Sequence, residues 1–531
     1  MEGKEYFYRQ VVHDHHSHED HSSPDKDVIS PFTNLGLEVE HCRTQEHLGG
    51  YRYDDEHRPE IVHIKHANLS PTNHIPRKQP CKNHLRVLLV QTAHGLSPSS
   101  GGYRANYSLL LQLVATGHHV AQICYGSDKE VEAYAQKALE RGIEPHVTET
   151  PFTVKTPEGE AYRLTIKTFT DHEKVFNIVI AREIFIRAYP LPDFFKETKQ
   201  YLESPTDAKG NTPNITNRMQ ILLDLFSSHF TRFAPTHIIF NDAMSMKLTA
   251  HHPLRKTFKR VAIIHTAEQL PFGPFCQGID GHCISPEAEA RMLPELDGIW
   301  SVSRAIQDYA MKYGNLKTTF LVHSTLTYLD LEKKKLPRVR HNVDKQAVGM
   351  VNPCPHKGED ILLGLASDLP DTKFIAWVSW GSSEDRLQRL RELPNIEIRP
   401  STRNTDEIWD SIKVLICPSV WYEAWGIIVT EAQLRGIPVI SSNAGGLVEA
   451  KLGLPYTVPV RMVTGARDPE TGYYIVPPQD IAPWTATLDH LMTHREEYIA
   501  LSKMTAERAT EWLLGMDPRA HEKWLIAMMG K

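Results

Sequence analysis

VWYEAWGIIVTEAQLRGIPVISSNAGG, residues 420 to 446, decides how this chain is read. The preceding VLICPS, Val414 to Ser419, is apolar and β-prone and runs into a proline, as a buried parallel strand entering a loop does. Gly426 then opens a helix. Its first N–H groups lack intrahelical partners and its dipole is positive at that end, a natural seat for a diphosphate. Glu423 falls in the loop and Glu431 inside the helix, so two carboxylates bracket the helix start. A carboxylate can accept two hydrogen bonds from a vicinal diol, so one suits sugar hydroxyls and the other a ribose. GIPVI is a further buried strand, and SNAGG a tight loop whose Gly445 and Gly446 let backbone approach a ligand.

The same strand-loop-helix rhythm occurs elsewhere. In LRVLLVQTAHGLSPSSGGYRANYSLLLQLVATGHHVAQICYG, Leu85 to Val90 is a buried strand, Ser97 to Gly102 a glycine loop, Tyr103 to Thr116 a helix and His119 to Tyr125 a second strand. The spacing is not that of the dinucleotide G-x-G-x-x-G fingerprint. FTVKTPEGEAYRLTIKTFT alternates like a hairpin around Pro157-Glu158-Gly159, and RMQILLDLFSSHF is an amphipathic helix. PTHIIFND ends a strand at Asn241-Asp242, and VAIIHTAEQ ends one at His265, where open α/β sheets place ligand groups. GIWSVSRAIQDYAMKYG reads as a strand, Ser303 as N-cap, and a helix. AVGMVNPCPHKGEDILLGLASDLPDTKFIAWVSWG again reads strand, loop, helix, strand.

Composition bounds these readings. The chain has 531 residues, room for two cores and extra segments, with 41% apolar and 23% charged residues, as in ordinary globular proteins. A net charge of −6 offers no basic field for nucleic acid. No apolar run reaches transmembrane length and MEGKEYFYRQ lacks a signal-peptide core, so a cytoplasmic location is expected, with peripheral membrane contact left open. The seven cysteines show no C-x-x-C, which speaks against a disulfide framework or zinc ribbon. Residues 1 to 84, rich in His, Asp, Glu and Pro, read as a polar, disordered extension, whose His13, His15, His16, His18 and His21 are a solvated tail before they are a metal site.

The two glutamates, the step Trp425-Gly426, the small-residue turn, the following strand and the Gly-Gly loop stand in the order found in the retaining glycosyltransferases of family 4, which this chain resembles. The resemblance covers residues 85 to 531, strongest from 414 to 450 and weak between 126 and 234. It implies the GT-B fold, an α/β architecture of two Rossmann-like doubly wound domains facing a central cleft. The acceptor domain would span 85–340, the donor-binding domain 341–500, and helices in 501–531 would cross back to the first.

It also implies a site. Glu431 would bind the donor ribose, and Glu423 the donor sugar hydroxyls with the backbone after Trp425. Lys357 and the amides near Gly426 and Ile427 would stabilise the leaving diphosphate, and His265 would steady the sugar and the charge developing beside it. Gly101 and Gly102 would approach the diphosphate, and Arg399 to Thr402 would flank the nucleobase. His265 is followed by Thr266 where relatives commonly have aspartate. Met350 stands where many have an arginine facing the diphosphate; Arg304, Arg403 or helix amides are the candidate substitutes. Trp409, Trp421 and Trp425 are expected to pack before they stack on sugar. TGYYIVPPQD resembles the family's closing strand and turn.

The activity implied is transfer of a hexose from a nucleoside-diphosphate sugar, UDP-sugar first and GDP-mannose second, to an acceptor hydroxyl of unknown identity. Configuration would be retained, and neither metal nor other cofactor is required. A nucleotide-sugar epimerase of related fold and a non-catalytic sugar-nucleotide-binding protein stay open as alternatives.

Overall fold

The structure, a computed structural model, describes residues 84–96, 100–207, 210–278, 282–330, 334–379, 381–402, 404–469 and 474–530. Apart from His84, the expected polar extension lies outside the described residues, as does Arg403. Two compact units are present, each drawn from separated parts of the chain. One holds the described residues of 84–263, 282–300 and 519–530; the other holds those of 264–278 and 301–518.

In the first unit the strands are β1 (Arg86–His94), β2 (His119–Gly126), β3 (Thr148–Lys155), β4 (Ala161–Thr170), β5 (Phe176–Ala181), β6 (His237–Phe240), β7 (Lys259–Ile264) and β8 (Gly298–Ser301). They lie in the order β3-β4-β5-β2-β1-β6-β7-β8. From β5 onward this is the doubly wound 3-2-1-4-5-6 arrangement. β1 pairs in parallel with β2 and β6, and its continuous apolar run Val87–Val90 is buried because both faces of such a sheet are covered. The expected hairpin is β3 and β4, paired antiparallel around a turn at Gly159, whose φ of 89° suits glycine. The amphipathic stretch forms the helix Asn217–Phe233, capped by Thr216 and closed by Ala234 in the left-handed region. The helix expected from Tyr103 begins two residues earlier, at Gly101. The helix Ala520–Met529 packs on this unit: Glu522 Oε1 meets His118 Nε2 at 3.0 Å and Leu525 O meets His237 Nε2 at 2.9 Å.

The second unit carries β9 (Ala347–Val351), β10 (Lys373–Val378), β11 (Ile396–Pro400), β12 (Val414–Cys417), β13 (Val439–Ser442) and β14 (Thr457–Val458). All pair in parallel, in the order β11-β10-β9-β12-β13-β14, again 3-2-1-4-5-6. Met350 is buried in β9 at 2% exposure, a packing residue of the sheet. The strand expected in TGYYIVPPQD is not formed among the described residues. Tyr474 makes a single bridge to Arg467, and Pro477-Pro478, without amide hydrogens, cannot extend a ladder. Among the described residues no helix is long and apolar enough to cross a membrane.

Candidate functional site

In a 3-2-1-4-5-6 sheet the strand order reverses between the first and fourth strands, and the loops leaving their carboxyl ends diverge to open a crevice. In the second unit those strands are β9 and β12. Their loops carry Lys357 and Glu423, 66 residues apart in sequence and joined as an ion pair between Nζ and Oε1.

The sequence builds this meeting from backbone contacts. Gly358 has φ 87°, and a Cβ there would stand 2.2 Å from the carbonyl oxygen of Pro418, so only glycine lets the first loop lie on the second. His356 O accepts from Val420 N at 3.0 Å, Trp421 N at 3.1 Å and Ser419 Oγ at 3.2 Å. Ser419 Oγ also donates to Glu423 Oε1 at 2.6 Å. From the other side, the Gly445-Gly446 loop presses on the Glu423 backbone: Gly446 N donates to Glu423 O at 2.7 Å, and a Cβ at Gly446 would lie 2.1 Å from Ala424 O.

Gly426, at φ 96°, precedes the helix Ile427–Leu434 and provides no side-chain cap, so the amides of the first turn are not taken by a capping side chain. Glu431 lies one turn into that helix, about 6 Å along its axis from Ile427. The Trp425 indole is packed, 4% exposed, with Nε1 donating to Thr430 Oγ1 at 3.2 Å and its ring stacked on Trp512 at 5.8 Å. Trp409 and Trp421 are buried as well.

His265 follows the carboxyl end of β7 and clusters with this unit. Its ring lies parallel to His323 at 6.0 Å, and His323 in turn meets the edge of Trp425 at 6.4 Å. Its backbone amide is held by Gln269 Oε1 at 2.6 Å. Gly101 and Gly102 open the helix Gly101–Ala115 in the other unit. Of the substitutes for the missing arginine, Arg304 lies over Phe320 at 4.8 Å.

Electrostatics at the pair are those of a desolvated site. Burial alone would lower the Lys357 ammonium, and the Glu423 carboxylate more than reverses this, so its pKa is raised and it stays charged. Burial pulls His356 down to about 3, with Lys357 and Arg386 adding to the effect, so this imidazole is neutral. Glu268 is a residue that sequence reading passed over. It sits in the turn Ala267–Gln269 after β7, is fully buried, and is pushed by burial up to about 7, with Lys357 and Glu423 within electrostatic reach. The one signal in the sequence was a charged residue three positions after the strand-end His265, in IIHTAEQL.

Known proteins resemble parts of this chain. Residues 346–494 match the family model described as Glycosyl transferases group 1. D-inositol 3-phosphate glycosyltransferases of Mycobacterium tuberculosis and Mycobacterium bovis are 30% identical over 163 residues, which is 28% of this chain and 30% of theirs. The chain thus spans under a third of the length of these relatives. A sucrose-phosphate synthase from Thermosynechococcus elongatus superposes with a TM-score of 0.53 at 14% identity, covering 84% of this chain and 98% of its own. The Anabaena protein HepE in complex with UDP and glucose gives 0.51 at 12% identity, covering 84% and 100%. The fold is that of the GT-B glycosyltransferases, and the likeness to the glycosyl transferases group 1 model is confined to residues 346–494.

Proposed function

We propose that the protein is a retaining, metal-independent hexosyltransferase that uses a nucleoside-diphosphate sugar, UDP-linked before GDP-linked. The single observation that carries this reading is the Lys357–Glu423 pair at the switch point, beside an uncapped helix start. A diphosphate seated on the amides after Gly426 draws Lys357 toward it and frees Glu423 for the sugar hydroxyls. Glu431 takes the ribose, and His265 steadies the sugar. The bond between the anomeric carbon and the diphosphate oxygen breaks as the acceptor oxygen bonds on the same face. The acceptor's proton passes to the leaving phosphate oxygen, and Lys357 and the helix amides stabilise the charge that builds there. Support for a sugar-nucleotide donor comes from HepE, solved with UDP and glucose, and the names of the curated relatives make inositol 3-phosphate the first acceptor to try.

The test is a thermal-shift panel of UDP-glucose, UDP-N-acetylglucosamine and GDP-mannose, since a ligand at a hundred times its Kd adds about 2.7 kcal/mol. The donor that stabilises should then be transferred in the presence of EDTA with its anomeric configuration kept, read from the anomeric proton coupling. Inversion, or activity that EDTA abolishes and a divalent ion restores, refutes the mechanism. An isomerised donor formed without acceptor marks an epimerase.

A further inference from the structure

Glu268 is fully buried, and neither of its carboxyl oxygens has a hydrogen-bond partner. After burial, the largest influences on it are its own amide and the Thr266 hydroxyl, which favour ionisation without forming a hydrogen bond to either oxygen. The turn is covered by the segment at Gly278, where a Cβ would lie 1.9 Å from Tyr474 Oη and 3.0 Å from Glu268 Cγ. Arg467 holds that segment through Nη2 bonds of 2.9 and 3.0 Å to Gln277 O and Gly278 O, and lies over the Tyr474 ring at 4.4 Å. The charged and titratable groups within electrostatic reach of Glu268 are Lys357, Glu423, Tyr309 and Tyr474.

An unpartnered carboxyl in such a place is costly as a structural element, and a hydrophobic residue would fill the space at less cost. What sets this one apart is its neighbour, an ion pair with no net charge that stands where a diphosphate is to bind. An arriving diphosphate adds negative charge within reach of a buried carboxyl that burial already biases toward its neutral form, and a like charge favours the protonated form further. Linkage makes the effect reciprocal: whatever the donor does to the proton's affinity, the proton does to the donor's.

We propose that Glu268 takes up a proton from solvent as the donor's diphosphate arrives beside Lys357, so that the buried carboxyl is neutral when the leaving group departs. This positioning role rests on the proposed sugar-nucleotide site. With the free carboxyl poised at about 7, donor binding below that pH involves little proton uptake, whereas at pH 8 it approaches one proton. Above pH 7 the donor's Kd rises by up to about tenfold per unit.

Calorimetric titration of the intact protein with UDP-glucose, and with GDP-mannose in parallel, in two pH 8 buffers of different ionisation enthalpy reads the uptake directly. These diphosphates do not themselves titrate near neutrality. Wild type is expected to take up most of a proton and Glu268→Gln almost none, with the variant's Kd flat between pH 6.5 and 8.5. Binding without uptake in wild type overturns the proposal with no variant needed. Equal uptake in Glu268→Gln also overturns it and moves the proton to another group such as His265 or His356. If neither nucleotide binds at all, the sugar-nucleotide reading itself falls, an outcome distinct from binding without a proton.

Discussion

Replacing Lys357 by methionine separates what the lysine does for the fold from the role proposed for it in the reaction. The side chains of Lys357 and Glu423 are 26% and 13% exposed, so solvent screens their interaction only in part. Without the ammonium, Glu423 keeps the Ser419 hydroxyl at 2.6 Å but faces the buried Glu268 carboxyl with no cation beside it. Removing one member of a fully buried pair costs about 3–5 kcal/mol. With partial exposure and one donor retained, about 1–3 kcal/mol is expected here. Turnover should fall further, by at least about a hundredfold or 2.7 kcal/mol, because the charge building on the leaving diphosphate loses its side-chain cation. Lys357→Met combined with Glu423→Gln removes both charges, so it should recover most of the lost stability and none of the turnover. Urea midpoints report the first quantity. Chromatographic release of nucleotide from the donor, with and without acceptor, reports the second. A single variant within threefold of the parent rate, or a double variant no more stable than the single, refutes the assignment of Lys357 to both roles.

Three other outcomes are expected. Glu431→Ala should weaken donor binding about equally in ground and transition states, raising KM, whereas Glu423→Gln should depress kcat more; equal and negligible effects in steady-state kinetics would remove the carboxylate assignment. Gly446→Ala places a Cβ 2.1 Å from Ala424 O, so it should shift the Glu423 loop and lower both melting temperature and turnover, and a silent variant would show that this loop is not held from that side. Burial pulls His521, packed edge-on against Trp300, down to about 4. The unfolded chain therefore binds the extra proton between about pH 6.5 and 4, and this stability, up to about 3 kcal/mol, is complete above 6.5 and lost as pH falls toward 4. Asp242 and Glu289, raised by burial to about 6 and about 7, pull the opposite way. The readout is thus the difference in melting between wild type and His521→Phe at pH 7.5 and 4.5, and a difference independent of pH would refute it.

Much of the fold could be read from short apolar runs, because strands covered on both faces must be continuously apolar: RVLLV, HIIF, VLIC and the alternating hairpin all became strands where expected. The residue that ends a run was equally informative, which is why His265, Lys357 and Glu423 were placed in loops at strand ends. Their meeting was not readable from spacing, since the 66 residues between Lys357 and Glu423 are brought together by strand order and by the fit of Gly358 under Pro418. Trp425 illustrates the converse: the motif names the residue, while only packing tells that its ring faces Trp512. Glu268 was missed because a glutamate in a turn is ordinarily solvated, and its burial depends on a cover supplied by Gly278 and Tyr474.

The docking of Glu522 on His118 joins positions 404 apart in the chain. A closure of that length carries an entropic cost of about 5 kcal/mol by simple scaling. It also orders events in time. The unit of residues 264–278 and 301–518 does not include the helix Ala520–Met529, whereas the unit of β1 to β8 is incomplete until residues 519–530 have been made. During synthesis β1 to β8 would therefore be made well before the helix that completes their unit. The part of the sheet around His118, His237 and Trp300 would wait, exposed or held by a chaperone, for a helix made after all of its strands.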